Sequence, residues 1–67
     1  MSVAKVIEIS ASSPDSFEDA IRQGVAKASE TLHGISSAWV KEQKAVVSGG
    51  NTVSEFRVNL ALTFELD

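Results

Sequence analysis

Trp39, Lys41 and Gln43 alternate along one stretch of the chain, and Arg57 and Asn59 alternate along another. If both stretches are strands of one sheet, side chains two residues apart share a face. One face then carries an aromatic ring, two cations and two amides, with Ser37 beside them. Such a set can stack on a planar ligand while Arg57 or Gln43 hydrogen-bonds the ligand's edge. It also suits a subunit interface, where aromatic residues and arginine are enriched. Stacking is worth about 1–3 kcal/mol per ring in nucleic-acid systems, a useful but modest contribution.

Other chemistry is weakly supported. The 67 residues include no cysteine, which excludes disulfides, thiolate metal sites and a cysteine nucleophile. A lone histidine, His33, excludes a multi-histidine metal site within one protomer. No serine, histidine and carboxylate are spaced as a triad, so the chain reads as a non-enzyme. Asp15, Glu18 and Asp19 could meet a divalent cation with help from a neighbouring chain, but they also suit the start of a helix. Glu8 and Glu65 can share a sheet face. Copies converging there would bind a cation or raise their own pKa values.

The element that must position these groups is at the C-terminus. Phe56, Val58, Leu60, Leu62, Phe64 and Leu66 alternate with Arg57, Asn59, Ala61, Thr63 and Glu65. That period of two predicts one long strand with an apolar and a mixed face. Val3 to Ile9, rich in β-branched residues, predicts a first strand, and Ser10 to Ser13 a polar loop. Ser13 followed by Pro14 predicts a helix cap with proline at the first helical position. Phe17, Ala20, Ile21, Gly24, Val25, Ala28 and Leu32 form the apolar stripe of a helix over 14–32. Gly24 marks either a close helix–strand approach or a tolerated glycine. Gly34 sits where a left-handed helix terminator belongs.

A second strand is predicted over 36–47, and Ser48-Gly49-Gly50-Asn51 reads as a hairpin turn. Ala38, Val40 and Val46 form its helix-facing set. Alternation puts Ser37, Trp39, Lys41, Gln43 and Ala45 on the other face. The result is an α+β domain spanning 1–67, with the order β-α-β-β and a three-stranded antiparallel sheet against one helix.

A chain this short is near the lower limit for an independent core. With no disulfide or metal framework, self-association is the expected source of stability. The net charge is −3 and there is no basic patch, which argues against nucleic acid. No segment approaches the roughly 20 apolar residues that span a bilayer, and no signal-peptide core is visible. No membrane partner and a cytoplasmic location are the default expectations.

Several segments together resemble the dodecin family. They are Val3-Ala4-Lys5-Val6-Ile7-Glu8-Ile9, Ser12-Ser13-Pro14-Asp15-Ser16-Phe17, Ala38-Trp39-Val40-Lys41-Glu42-Gln43, and Phe56 to Phe64. The resemblance covers nearly the whole chain. It implies a sheet wrapped around its helix and a hollow homododecamer. It also implies non-enzymatic storage of FMN or riboflavin-type flavins, stacked between tryptophans of symmetry-related chains. In an ungapped comparison the family's stacking tryptophan falls on Ser37, with Trp39 two residues on, and its flavin-contacting glutamine falls on Arg57. A related branch without that tryptophan binds calcium. The resemblance therefore implies a flavin site built from Trp39, Arg57, Ser37, Gln43 and Lys41. Its alternative is an assembly that has lost flavin and binds a cation or another small ligand, or is purely structural.

Overall fold

The structure is a computed structural model that describes residues 3–66, so Met1, Ser2 and Asp67 of the expected domain lie outside it. Its elements are β1 (Val3–Ser13), α1 (Phe17–Ala28), β2 (Ile35–Ser48) and β3 (Thr52–Leu66). The three strands form one antiparallel sheet in the order β1-β3-β2. The longest strand is therefore central, paired with β1 over Phe56 to Leu66 and with β2 over Thr52 to Phe64. The helix packs on β1 and β3, and the β2–β3 hairpin runs on past it as an arm. The protomer is accordingly long and thin, 51 × 20 × 13 Å.

The apolar face of β3 builds the core. Val58, Leu60 and Leu62 are fully buried, together with Ala20 of the helix. Ile9, Ala11, Phe17, Ile21, Val25, Ala38 and Val40 close around them. Phe17 meets Phe56 edge-on, with ring centroids 5.0 Å apart. Gly24 is required by a close approach. A methyl group there would lie 3.0 Å from the Ala11 Cβ and 3.2 Å from Leu60 Cδ1.

The helix is shorter than the sequence predicts at both ends. Ser10–Ser13 is not a loop, because β1 continues to Ser13 and pairs with β3 as far as Phe56. The long central strand offers backbone partners that outweigh the weak strand preference of alanine and serine. Ser13 is accordingly buried rather than a cap. Its hydroxyl donates to Asp19 Oδ2 at 2.6 Å and accepts from the Asp15 N–H at 2.9 Å. The cap is Ser16, whose Oγ accepts from the Asp19 N–H at 2.9 Å. At the other end the helix stops at Ala28, not Leu32. The backbone tightens into i→i+3 bonds at Glu30 and Thr31, and the Ser29 hydroxyl takes the Ala26 carbonyl. Such local side-chain bonds compete with the helical ladder. Gly34 is left-handed (φ 78°), six residues beyond the helix, and starts the run into β2.

The hairpin turn falls where the sequence places it. Gly49 and Gly50 have φ of 61° and 76°, and the Asn51 N–H reaches the Ser48 carbonyl. Two consecutive left-handed residues are what a tight hairpin of this twist requires.

Candidate functional site

The face of the sheet away from the helix is organised in rows across the three strands. Cross-strand partners set each row, and rows on one face are two residues apart, about 6.7 Å along a strand. Val6, Thr63 and Ser37 form the first, then Glu8, Ala61 and Trp39, then Ser10, Asn59 and Glu42, and last Ser12, Arg57 and Lys44.

A bulge in β2 sets this pattern. Val40 pairs with Leu60 but Glu42 pairs with Asn59, so Lys41 has no partner on β3. One extra residue inverts the alternation beyond it. Ser37, Trp39 and Lys41 lie on the open face as expected. Gln43 does not: it pairs with Val58 and turns to the helix side, as does Ala45 opposite Phe56. Val46, expected toward the helix, pairs instead with Glu55 on the open face. Glu42 and Lys44 take the places the alternation assigned to Gln43 and Ala45.

Trp39 is 66% exposed. One ion pair crosses its row. The Lys41 Nζ lies 3.3 Å from Glu8 Oε2 on β1, two strands away. It also lies over the Trp39 ring, 5.5 Å from the centroid, within cation–π range. Ala61, between Trp39 and Glu8 in the row, is buried although it faces away from the helix. The Lys41–Glu8 pair joins β2 to β1 on either side of this small residue, and a larger one in the row would crowd the bridge.

Arg57 is not beside Trp39. Four residues of β3 separate their rows, about 13 Å at the rise of an extended strand. Arg57 donates to Glu55, through Nε at 3.1 Å and through Nη2 at 3.3 Å. The guanidinium holds the Glu55 carboxyl below its ordinary pKa, helped by the Ser12 hydroxyl, and Glu55 in turn raises Arg57. Between the two rows, Asn59 Nδ2 donates to Glu42 Oε1 at 3.1 Å. Ser37 stands one row to the other side of Trp39, opposite Thr63.

The expected cation candidates are also placed. Glu8 and Glu65 do share the open face, but Glu8 pairs with Lys41, and Glu65 accepts from the Ser36 hydroxyl at 3.1 Å. Asp19 is used by Ser13 and by Gln23 Nε2, and Glu18 by Arg22. Among the described residues no group of three histidine, cysteine, aspartate or glutamate side chains is placed to hold a metal ion. No described helix is long and apolar enough to cross a membrane.

A three-stranded antiparallel sheet with its middle strand last in sequence, laid against one short helix, defines a small α+β class. The family model described as Dodecin matches residues 3–67, and the chain belongs to the dodecin family. It is 35% identical to the calcium dodecin of Mycobacterium tuberculosis over 66 residues, which is 98% of this chain and 92% of that protein. A solved structure of that calcium-chelating antigen, described as having a novel calcium-binding site, superposes with a TM-score of 0.82. It is 32% identical, with 97% of this chain and 91% of that one covered. The dodecin from Streptomyces coelicolor superposes with a TM-score of 0.90 at 30% identity, covering 98% of this chain and 93% of that one.

Proposed function

We propose that this chain is a non-enzymatic, cytoplasmic dodecin that holds an FMN-type flavin on the open face of its sheet, between copies in a homododecamer. The observation that carries the reading is the single exposed tryptophan and its place in the rows. Trp39 offers a ring face for the isoalloxazine. The next row, Asn59 and Glu42, presents an amide and a carboxylate suited to the hydroxyls of a ribityl chain. The row after that, Lys44 and Arg57, is cationic and about 13 Å from Trp39, a span suited to an extended chain ending in phosphate. Ser37 leaves space on the opposite side of the ring. Charge-assisted bonds at the Lys44–Arg57 row favour FMN over riboflavin. A second copy supplies the other face of the sandwich, which also covers sheet surface that one helix leaves open.

The test is titration of ligand-stripped protein with FMN and with riboflavin, following flavin and tryptophan fluorescence together. Because Trp39 is the only tryptophan, its quenching reports this site alone. The reading expects mutual quenching that saturates at a fixed ratio. FMN binds more tightly at low salt, and the difference shrinks as salt screens the phosphate. No quenching at micromolar protein, from material that still elutes as a large assembly, refutes it.

The kinship to calcium dodecin favours a second reading, a cation site. The open-face carboxylates Glu8, Glu42, Glu55 and Glu65 each have a protein partner. A cation would therefore have to draw carboxylates from two copies and break those pairs. Calcium titration by calorimetry on the same material decides this reading independently of flavin.

A further inference from the structure

We propose that Lys41 makes the face of Trp39 an anion-selective platform, with Glu8 as the counter-ion that holds Lys41 when the platform is empty. The argument begins with the bulge. Lys41 is the extra residue of β2, so its backbone is free of a partner on β3 while its side chain reaches across that strand. Bulges commonly re-aim a side chain in this way. The ammonium is placed between two groups of unlike strength, a carboxylate at 3.3 Å and an aromatic face at 5.5 Å. The Lys41 side chain is 38% exposed, whereas Lys27 in its helical pair is 83% exposed. Lys41 is thus the more enclosed cation, resting above the buried Ala61.

An exposed ion pair of this kind is weak, because solvent screens it and two side chains must be ordered. Glu8 is therefore readily exchanged for a better acceptor. A planar ligand stacked on Trp39 brings its own ring edge to the ammonium while excluding water from it. A ring edge bearing carbonyl oxygens or negative charge replaces Glu8. A cationic edge is repelled, and a purely hydrocarbon edge leaves Lys41 on Glu8. Selection at Lys41 acts on the ring itself. It is distinct from selection at Arg57, about 13 Å away, which acts on a distal phosphate.

For flavins this inference rests on the stacking reading above, so its test has an arm that needs no flavin. Collisional quenching of Trp39 is measured with iodide and with neutral acrylamide, at low ionic strength. Lys41→Met keeps the apolar stem and removes the charge. It should lower the iodide constant about twofold and leave acrylamide unchanged, because a nearby cation concentrates anions locally. Glu8→Gln frees the ammonium and should raise the iodide constant. Elution volume and far-UV circular dichroism establish that both variants assemble as the parent does. Equal effects on iodide and acrylamide, or no effect of either variant, overturn the proposal.

In the flavin arm Lys41→Met should weaken FMN and riboflavin by the same factor, about tenfold, the scale of one lost hydrogen bond to a charged group. Arg57→Gln should weaken FMN alone. Loss confined to FMN in Lys41→Met makes Lys41 a phosphate contact and overturns the proposal. Absence of flavin binding in the parent protein refutes the flavin reading only. The iodide and acrylamide comparison then decides the role of Lys41 by itself.

Discussion

Gly24→Ala sets a favourable term against an unfavourable one at a site where the geometry decides between them. Alanine in a helix interior is worth about 1 kcal/mol over glycine, so on an open helix surface the change stabilises. Here the new methyl lies 3.0 Å from Ala11 Cβ, 3.2 Å from Leu60 Cδ1 and 3.4 Å from Ile9 Cδ1. The two Cδ atoms can rotate away. Ala11 Cβ cannot, because it is fixed to a strand paired with Val58. The helix must lift by several tenths of an ångström, and it lifts off Ile9, Leu60 and Val58 together. Overpacking of this kind costs about 1–3 kcal/mol. The net expectation is a loss of about 0–2 kcal/mol, clash less propensity, in place of the gain an open helix surface would give.

Ala11→Gly removes the immovable methyl, so the double variant should recover most of the loss. The cycle should give a favourable coupling of about 1–2 kcal/mol, within the range for residues in contact. Urea unfolding followed by circular dichroism measures all four proteins at one protomer concentration, since assembly couples stability to concentration. Gly24→Ala more stable than the parent, or a double variant no better than the sum of the singles, refutes the claim that Ala11 sets the helix–strand distance.

Ser13→Ala should cost about 1–3 kcal/mol, because the buried hydroxyl serves both Asp19 and the Asp15 N–H, and chemical denaturation reads the loss. Trp39→Phe should leave assembly size intact and weaken flavin binding; a looser assembly by size-exclusion chromatography would instead make Trp39 an interface residue. The Glu55 carboxyl, held low by Arg57 and Ser12, should titrate below ordinary glutamate, and Arg57→Gln should bring it back up in a carbon-13 carboxyl titration. Because the folded value is the depressed one, the Glu55 contribution to stability is present above the unfolded pKa and is lost as pH falls through the folded value. Parent and Arg57→Gln should therefore converge in stability on acidification, and divergence would refute the pairing.

The long strand β3 was legible because eleven residues from Phe56 to Leu66 alternate without interruption, and alternation is what a half-buried strand imposes. The glycine pair at the turn was legible because left-handed backbone has few other tenants. The ends of the helix were not. Ser13-Pro14 and Ser16 are both chemically fit to cap, and the choice between them is made by β3, whose length draws Ser10 to Ser13 into the sheet. No local rule weighs that distant pairing.

The open face fails to be legible for a sharper reason. Face assignment along β2 depends on counting residues in twos, and a bulge changes the count by one. It falls within Lys41-Glu42-Gln43-Lys44, four polar residues in succession, where no apolar residue marks which parity points inward. Trp39 precedes the bulge and keeps its predicted face, whereas Gln43 follows it and loses its own. Glu42 and Lys44, which the alternation excluded, therefore enter the open face. The same inserted residue that hides them from the sequence carries Lys41 across Ala61 to Glu8, so the irregularity and the bridge have one cause. Deleting Lys41 should consequently remove the ammonium and the bulge together while leaving the rows in place. Val40 opposite Leu60 is then followed directly by Glu42 opposite Asn59, so Glu42 and Lys44 keep the open face and Gln43 and Ala45 the helix side, now on a regular strand. Lys41→Ala, by contrast, keeps the bulge and removes only the ammonium. A deletion variant whose Asn59 amide loses its Glu42 partner by nuclear magnetic resonance would show that Lys41 is not the inserted residue that sets the register.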